Sequence, residues 1–402
     1  MKYCLAIDIA KGKSMVGLIS EEGEIVLDLH EIAHSKSNLV NLHNQIQNLN
    51  LDNVSVIMES TSTYHYPILK FFKELNYDTI LLNPIISKEH KKNLRKTKTD
   101  KTDCLNLASI YFKKEYNKQT NLSLVYSELQ HFSRQIHNLQ GNLVRYKNRF
   151  KQLVEMVFPE YEKLFKNKAF FSETGLTFIS IYPHADLIVN KRIDALANTL
   201  GSVHNRHPNY YRKKAEIIKE AAKDSLTSVS VDSSVVYSIK QQSTLILDLQ
   251  KEIEILKDMM IELAKTIDIF PIIQSIYGFG EYSTALFLAE VKDPRRFKNT
   301  KKLTASCGLD PTIIQSGKTI NYHGPISKRG NKIARKVLFN IITNIIRNAS
   351  KGTKNLNHPI LVYYRKKRSE GKHHYACIIA CTTKLLRIVY TMCINNTTFV
   401  IY

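Results

Sequence analysis

The chain has 402 residues, of which 43% are hydrophobic and 23% are charged, a composition that excludes a disordered or collagen-like protein. Lysine and arginine outnumber aspartate and glutamate by 58 to 36, which gives a formal net charge of +22 and indicates a polyanionic partner such as nucleic acid. The six cysteines are scattered and form no CxxC pair, so a zinc ribbon and a disulfide framework are excluded and reduced thiols are expected.

The first 115 residues alternate between strand-like and helix-like patterns. Three short apolar runs with short connections predict an antiparallel meander, and segments with helical spacing then alternate with short buried strands. The predicted strands lie at 3–9, 14–20, 24–32, 54–58 and 79–82, and the predicted helices at 39–49, 66–75 and 105–111. The order βββαβαβα predicts an α/β fold with a mixed sheet and helices outside it.

Carboxylates occupy two of the predicted strands and the start of a helix. Asp8 lies inside the first apolar strand, where an ionised carboxylate is costly unless a metal or several donors meet it. Glu59 ends the fourth strand, and Asp100 and Asp103 are spaced to share one side of a helix start. Together these hard oxygen ligands predict a Mg²⁺ or Mn²⁺ site at one edge of the sheet. For Asp100 and Asp103 alone, helix capping is an equally good interpretation.

A run of cations lies just before Asp100. Residues 88–101 carry seven lysines and arginines against two acids, as expected if phosphates pass beside the acidic cluster. A solvated helix face explains such a run as well. The predicted nucleic-acid contacts in this segment are Lys92, Arg95, Lys96 and Lys98.

Two long amphipathic helices are predicted in the middle of the chain. Apolar side chains recur at helical spacing over 129–158 and close to heptad spacing over 235–267, so an antiparallel coiled-coil hairpin or an oligomer contact is expected. The segment 168–232 between them is mixed and predicts no clear structure. The predicted domains are 1–120, 121–268 and 269–402.

The C-terminal region is predicted to be compact, with turn-rich chain over 307–330 and two helices beyond it. Its most apolar segment, 377–394, contains Lys384 and Arg387. Because of these two charges, we expect the segment to fall short of a membrane span.

One serine in the turn-rich stretch is a candidate nucleophile. Ser316 precedes Gly317 and Lys318 in polar, loop-like sequence, and a serine hydroxyl can attack a phosphodiester when cations hold the phosphate and a base or metal takes the proton. On composition alone, an ordinary turn serine is the simpler interpretation. The predicted phosphate contacts of this region are Lys318, Lys328, Arg329, Lys332 and Arg335.

The chain resembles the DEDD-type insertion-sequence transposases of the insertion-sequence-110 group, relatives of the pilin-gene invertases, in four segments at 6–11, 58–61, 98–103 and 316–331. The resemblance covers nearly the whole chain. It implies a RuvC-like domain of the RNase H fold, then coiled-coil helices, then a mostly helical C-terminal transposase domain. The acidic tetrad and the nucleophile that it implies are Asp8, Glu59, Asp100, Asp103 and Ser316.

The resemblance further implies a recombinase that is linked covalently to DNA through the serine, is guided by a structured non-coding RNA and acts as a dimer or tetramer. Two positions depart from the family pattern, because Cys104 replaces the usual alanine and Lys318 replaces a second glycine after the serine. The second departure leaves Ser327 as the alternative nucleophile. The chain also looks longer than typical members, with the extra length assigned to 168–232.

Two other function classes compete with a recombinase. A metal-dependent, junction-resolving nuclease on the same fold needs the acidic tetrad but no serine. A nucleic-acid-binding protein with a relic site needs neither. Because all three classes share a basic surface, charge does not separate them.

Overall fold

The structure, a computed structural model, describes residues 1–61, 63–82, 99–114, 124–203, 207–316, 320–349 and 358–400. The chain divides into two units, Met1–Asn121 and Leu122–Tyr402. The second unit contains both the helical middle and the C-terminal region, and the division of these regions into separate domains stays a prediction.

A mixed sheet forms the centre of the first unit. Its described elements are β1 (Tyr3–Ile9), β2 (Lys13–Ser20), β3 (Ile25–Ala33), α1 (Lys36–Asn48), β4 (Val54–Glu59), α2 (His65–Glu74), β5 (Asp78–Leu82) and α3 (Asp100–Phe112). The strand order is β3-β2-β1-β4-β5, with the first three strands antiparallel and with β1, β4 and β5 parallel. The predicted mixed sheet with helices outside it is therefore confirmed.

The central strand β1 is buried on both faces of the sheet. Leu5 and Ile7 lie in one core with side chains of α1 and α2, whereas Cys4 and Ala6 lie in a second core with side chains of α3. All four are fully buried. Because successive side chains of a strand point to opposite faces, the next position on the α3 face is Asp8.

Two long helices organise the first part of the second unit. The described helices here are α4 (Leu124–Val157), α5 (Tyr161–Leu164), α6 (Glu173–Ile181), α7 (Ala185–Val189), α8 (Ile193–Gly201), α9 (Pro208–Lys223) and α10 (Ser234–Lys265). The start of α4 shares a core with the end of α10, through Leu129 and Leu256. The end of α4 shares another core with the start of α10, through Phe150 and Ile239. The two helices are therefore an antiparallel pair within one chain.

Helices α5 to α9 fill the segment for which the sequence pattern predicts no clear structure. They form a core around Tyr161, whose ring is fully buried and whose hydroxyl donates to the carbonyl O of Gly175 at 2.6 Å. The ends of α4 and α10 complete this core. Four of these helices have nine residues or fewer, which is too short to leave a clear period in the sequence.

The C-terminal region contains a β-hairpin among helices. Its elements are α11 (Phe270–Gln274), α12 (Glu281–Val291), α13 (Thr300–Ser306), β6 (Pro311–Ser316), β7 (Ile320–Ile326), α14 (Lys332–Ala349), α15 (Pro359–Ser369) and α16 (His374–Asn395). The expectation of turn-rich chain followed by two helices is wrong, because β6 and β7 pair antiparallel and three described helices follow. Gly324 and Pro325 inside β7 disfavour a strand in isolation, and the pairing with β6 overrides them.

Helix α16 is a core helix of this region. By length and composition it is apolar enough to cross a membrane despite Lys384 and Arg387, so the expectation that these two charges make it fall short of a span is wrong; it is the one such helix in the described part of the chain. Half of its most apolar window is buried inside the protein, with Ile378, Leu385 and Val389 in the C-terminal core. This burial is that of a helix that packs against protein.

All six cysteines are buried and free. Burial raises the pKa of Cys104 and of Cys381 to about 12, and that of Cys307 to about 11. These thiols stay protonated and poorly reactive at neutral pH.

Candidate functional site

The carboxyl ends of β1 and β4 bring two acidic residues side by side. The strands are parallel and their register runs to the pair Ile7 and Met58, so the next residues, Asp8 and Glu59, are neighbours at one edge of the sheet. Ala6 and Ile57 belong to the core that packs against α3. Because every second side chain of a strand points to the same face, Asp8 and Glu59 also lie on the face that α3 covers. Both side chains are half-buried.

The first turn of α3 adds two carboxylates beside this edge. Asp103 is only 7% exposed, whereas Asp100 faces solvent. The Cys104 thiol donates to the carbonyl O of Ala6 at 3.2 Å, which fixes the start of α3 against β1. Burial and then the charge of Asp8 raise the pKa of this thiol, so Asp8 acts on the residue next to Asp103. We call Asp8, Glu59 and Asp103 the acidic edge.

The start of α3 is capped by threonines. The Thr102 N–H donates to the Thr99 hydroxyl at 3.2 Å, and the Thr99 N–H donates to the Thr102 hydroxyl at 3.0 Å. This reciprocal capping box satisfies the helix start. The interpretation of Asp100 and Asp103 as the helix cap is therefore wrong, although both carboxylates remain favourable near the positive end of the helix dipole.

Lys13, at the start of β2, brings a cation to the same end of β1. Its Nζ donates to Glu31 at 2.6 Å, and this hydrogen bond raises the pKa of Lys13, with a smaller contribution from the charge of Asp100. Asp100 therefore lies within electrostatic range of an exposed ammonium group.

The donors of the acidic edge suit a hard divalent cation. Mg²⁺ prefers oxygen ligands and is commonly held by one or two carboxylates together with water and substrate phosphates. Within the described residues, no three His, Cys, Asp or Glu side chains converge closely enough to hold a metal ion. The acidic edge is thus not a closed protein cage, and metal binding by the tetrad stays a prediction.

The candidate serine of the C-terminal region lies at the end of β6. Ser316 and Ile320 form the last pair of the β6–β7 hairpin, and Pro311 and Ile326 form the first. We call this element the serine hairpin. A strand of six residues extends about 20 Å, so Ser316 is at the hairpin tip rather than in the expected loop. Lys318 lies outside the described residues.

The alternative serine lies at the opposite end of the same hairpin. The Ser327 hydroxyl donates to Asp310 Oδ1 at 2.8 Å, and the Ser327 N–H donates to the Asp310 carbonyl O, also at 2.8 Å. The Arg329 N–H donates to the same hydroxyl at 3.4 Å. This hydroxyl therefore closes the base of the hairpin.

Two glycines let the chain pass close to itself at the hairpin base. Gly308 has a φ of +65°, and a Cβ on Gly330 would lie 2.2 Å from Gly308 N and 2.3 Å from the Ser306 carbonyl O. The Asn331 N–H donates to that carbonyl at 2.7 Å. A larger residue at Gly330 cannot enter without moving backbone.

A buried carboxylate joins the hairpin base to two helices. Glu290, on α12, has no exposed side-chain surface and accepts from Arg134 of α4 at 2.9 and 3.1 Å. It also accepts from Ser133 at 2.5 Å and from Asn331 at 2.6 Å. The Asn331 side-chain oxygen in turn caps α14. We call these four residues the Glu290 cluster.

Sequence reasoning missed the Glu290 cluster. The usable signal was an acid inside the apolar helix 281–291, which is the same signal that singles out Asp8 in its strand. The partners of Glu290 lie 41 and 156 positions away in the chain, and no local pattern connects them.

The predicted phosphate contacts of this region fall into two groups. Lys328, Arg329 and Lys332 face solvent at the hairpin base and at the start of α14. Arg335 is half-buried and donates from Nη1 to the carbonyl O of Cys307 at 2.8 Å, so it supports the loop. The predicted contacts of the N-terminal unit lie outside the described residues and are Lys92, Arg95, Lys96 and Lys98.

Known protein families match both ends of the chain. A family model described as "Transposase" matches residues 5–159, and one described as "Transposase IS116/IS110/IS902 family" matches residues 271–356. The acidic edge lies in the first match, and the serine hairpin lies in the second. The segments 160–270 and 357–402 lie outside both.

Two relatives come from insertion elements of Streptomyces. The chain is 24% identical over 263 residues to the "Insertion element IS116 uncharacterized 44.8 kDa protein" of Streptomyces clavuligerus. This alignment covers 63% of this chain and 60% of the relative. The chain is also 26% identical over 128 residues to the "Insertion element IS110 uncharacterized 43.6 kDa protein" of Streptomyces coelicolor. This second alignment covers 32% of this chain and 29% of the relative. The chain thus matches less than two thirds of the length of each relative.

Proposed function

The chain belongs to the IS110 group of insertion-sequence transposases, and from this membership we propose that it is a DNA recombinase that cuts and rejoins DNA through a covalent serine–DNA intermediate. The observation that carries the proposal is the parallel register of β1 and β4, which makes Asp8 and Glu59 neighbours at one strand edge. Carboxylates at such an edge suit phosphodiester chemistry that needs a divalent cation.

At the acidic edge, Asp8, Glu59 and Asp103, with Asp100 as the fourth member of the tetrad, would hold Mg²⁺ or Mn²⁺ together with water and phosphate oxygens. Such a cation would supply neutralisation of phosphate charge and Lewis-acid polarisation of the phosphoryl oxygen. The half-buried carboxylates of Asp8 and Glu59 remain open to a phosphate, and burial keeps Asp103 in place.

Ser316 supplies the nucleophile. Its hydroxyl oxygen forms a bond to phosphorus, its proton passes to a base, and the bond from phosphorus to one sugar oxygen breaks, so that this oxygen leaves as a hydroxyl group. A DNA hydroxyl then reverses the step and rejoins the strand without ATP. Ser316 is preferred to Ser327 because Gly317 and Lys318 follow it in the sequence, which favours close approach of a phosphate beside a cation. Ser327 bonds Asp310 through both its hydroxyl and its N–H, and we assign it a structural role at the hairpin base.

The partners follow from charge and from the family. A net charge of +22 supports DNA binding at element ends and at a target, and the family resemblance adds a structured guide RNA. Ile255 and Met259 lie one turn apart on α10 and are 54% and 52% exposed, an apolar pair that a homo-oligomeric contact would cover. A bacterial cytoplasmic location at the nucleoid fits these partners.

A trapping experiment tests the serine step. Purified protein is incubated with Mg²⁺, a suicide DNA substrate from the element end and RNA transcribed from the flanking non-coding DNA, then denatured and examined for a protein–DNA adduct. We expect wild type to form the adduct and Ser316→Ala to form none. Ser327→Ala should form a reduced amount, since it loosens the hairpin base.

The matched control is Ser369→Ala, which removes an exposed serine at the end of α15 and should leave the adduct unchanged. An adduct that survives Ser316→Ala moves the nucleophile to another residue. Cut DNA without any adduct favours the metal-dependent, junction-resolving nuclease over the recombinase. A site-specific invertase would give the adduct but inverted rather than inserted products.

A further inference from the structure

A groove between α15 and α16 lies in the segment that neither family model matches. Its volume is about 1320 Å³, larger than the roughly 300–1,000 Å³ of common small-molecule sites. Side chains of both helices and of the chain end line it. Among them are Tyr363, Thr383, Lys384, Arg387, Thr391 and Phe399. We call it the α15–α16 groove.

The groove is cationic. Two cations, Lys384 and Arg387, are among the residues that line it. The described lining residues include no acid. Among the side chains that the structure describes, Lys384 and Arg387 have no carboxylate partner, so their charges are available to an anionic ligand.

Contacts within the protein hold the walls of the groove in place. The Lys384 Nζ lies 4.7 Å from the centroid of the Tyr363 ring, a cation–π contact that fixes the ammonium group. The Phe399 N–H donates to the Ser275 hydroxyl at 2.8 Å, which ties the chain end to the C-terminal core. The groove therefore needs little ordering on binding.

A buried histidine lies next to the ring of Phe399, which we call the aromatic wall of the groove. The His358 ring is 5.3 Å from the Phe399 ring, and its Nε2 has no hydrogen-bond partner in the described structure. Burial and then the charge of Lys384 lower the pKa of His358 to about 4, so the ring is neutral at pH 7. His358 has no exposed surface and does not line the groove, so it packs beneath the Phe399 ring and does not itself contact a ligand.

We propose that the α15–α16 groove binds a short single-stranded segment of nucleic acid. Cations along a groove that also holds an aromatic ring bind unpaired nucleotides, with phosphates on the cations and a base stacked on the ring. A duplex keeps its bases stacked on each other and offers no free base face to Phe399. The proposal rests on the proposed function only in taking nucleic acid as the partner.

Fluorescence anisotropy in EDTA tests the groove without any cleavage. The full-length protein is titrated with labelled ten-nucleotide oligo(dT), oligo(U) and a ten-base-pair duplex at several salt concentrations. We expect Lys384→Gln/Arg387→Gln to weaken single-strand binding about tenfold and to reduce the salt slope by about 1.4, or about 0.7 per lost phosphate contact. Duplex binding should change less than twofold.

The aromatic wall has its own pair of variants. Phe399→Leu should weaken single-strand binding about tenfold, because stacking on a base is lost, whereas Phe399→Tyr keeps the stacking ring and should bind like wild type. Thermal unfolding of each variant checks that the region is folded. Tighter binding of oligo(U) than of oligo(dT) would indicate that the groove contacts the 2′-hydroxyl. Equal binding would indicate that it contacts only phosphates and bases.

The matched control for charge is Lys366→Gln, an exposed lysine of α15 outside the groove lining. If it weakens binding as much as Arg387→Gln does, general surface charge explains the binding and the groove proposal is wrong. The same conclusion follows if duplex and single strands lose affinity equally. Because Ser316→Ala leaves these titrations unaffected, a failure of the groove is distinguishable from a failure of the proposed recombinase.

Discussion

The acidic edge and the serine hairpin hold their residues in place by different means. At the acidic edge, strand register and burial of β1 on both faces of the sheet position Asp8 and Glu59. At the hairpin base, individual hydrogen bonds from Ser327 to Asp310 and from Asn331 to Glu290 hold the chain in place. A strand register is maintained by many backbone pairs and survives the change of one side chain. A side-chain hydrogen bond is lost when a substitution removes its donor or acceptor atom. The edge should therefore tolerate substitution structurally, and the hairpin base should not.

The largest expected effect concerns chemistry at the acidic edge. Asp8→Asn keeps size and shape but removes the charge that a cation needs, so we expect strand cleavage to fall on the order of 100-fold or more. Nucleic-acid affinity and the melting temperature should stay near wild type, since phosphate contacts elsewhere dominate binding. Asp52→Asn, at an exposed acid of the same unit, is the control. Full cleavage by Asp8→Asn would remove the metal role from the tetrad.

The next effect separates the two regions by stability. Glu290→Ala leaves the buried Ser133 hydroxyl and the Asn331 amide without their acceptor, whereas Arg134 is 49% exposed and keeps its hydration. We expect the free energy of unfolding to fall by about 2–4 kcal/mol. Glu281→Ala removes a half-exposed carboxylate that lies 3.4 Å from Lys265, and the free energy of unfolding should stay close to that of wild type because a surface ion pair contributes little. Urea denaturation of both variants measures the difference. Equal losses would mean that the Glu290 cluster is no more important than a surface ion pair.

A pair of glycine variants should change stability in opposite directions. Gly330→Ala places a Cβ 2.2 Å from Gly308 N, and overpacking of this kind costs about 1–3 kcal/mol. Gly141→Ala, in the middle of α4 with nothing within 4 Å of the new Cβ, should stabilise the protein by about 1 kcal/mol. Thermal unfolding gives the sign of each change. A stable Gly330→Ala protein would show that the hairpin base adapts easily.

The last comparison concerns one hydrogen bond in each region. Ser327→Ala leaves the Asp310 carboxylate without the hydroxyl and should cost about 1.5–3 kcal/mol, whereas Tyr111→Phe removes a neutral bond of 2.9 Å to Ser55 and should cost about 1 kcal/mol. Only Ser327→Ala should also lower the amount of adduct. If Tyr111→Phe lowers it equally, the acidic edge depends on side-chain bonds as well.

The sheet could be predicted from the sequence because each strand carries its own pattern. The apolar run around Asp8 and the one before Glu59 each identify a buried strand. That both acids lie on one face came from the register of β1 and β4 and from their common core with α3. The serine hairpin could not be predicted in this way. Gly324 and Pro325 argue against a strand locally, and only the pairing with β6 makes one.

The residues that hold the hairpin base in place were even harder to identify from the sequence. Glu290 contacts Arg134 across 156 positions, and such a contact depends on how whole helices pack. The same holds for Gly330, whose close approach to Gly308 is set by tertiary structure. The chemistry-bearing residues of the edge could be found from residue type and strand pattern, whereas the residues that orient the hairpin could not.

The burial of all six cysteines makes the chain suited to spectroscopic measurement of distances. A cysteine introduced at an exposed position reacts with a maleimide or nitroxide reagent while the native thiols do not. One label beside the acidic edge, for example at exposed Lys101, and a second on exposed Lys328 would report the separation between the two regions in solution. Mixing singly labelled chains would then reveal whether the serine of one copy approaches the carboxylates of another.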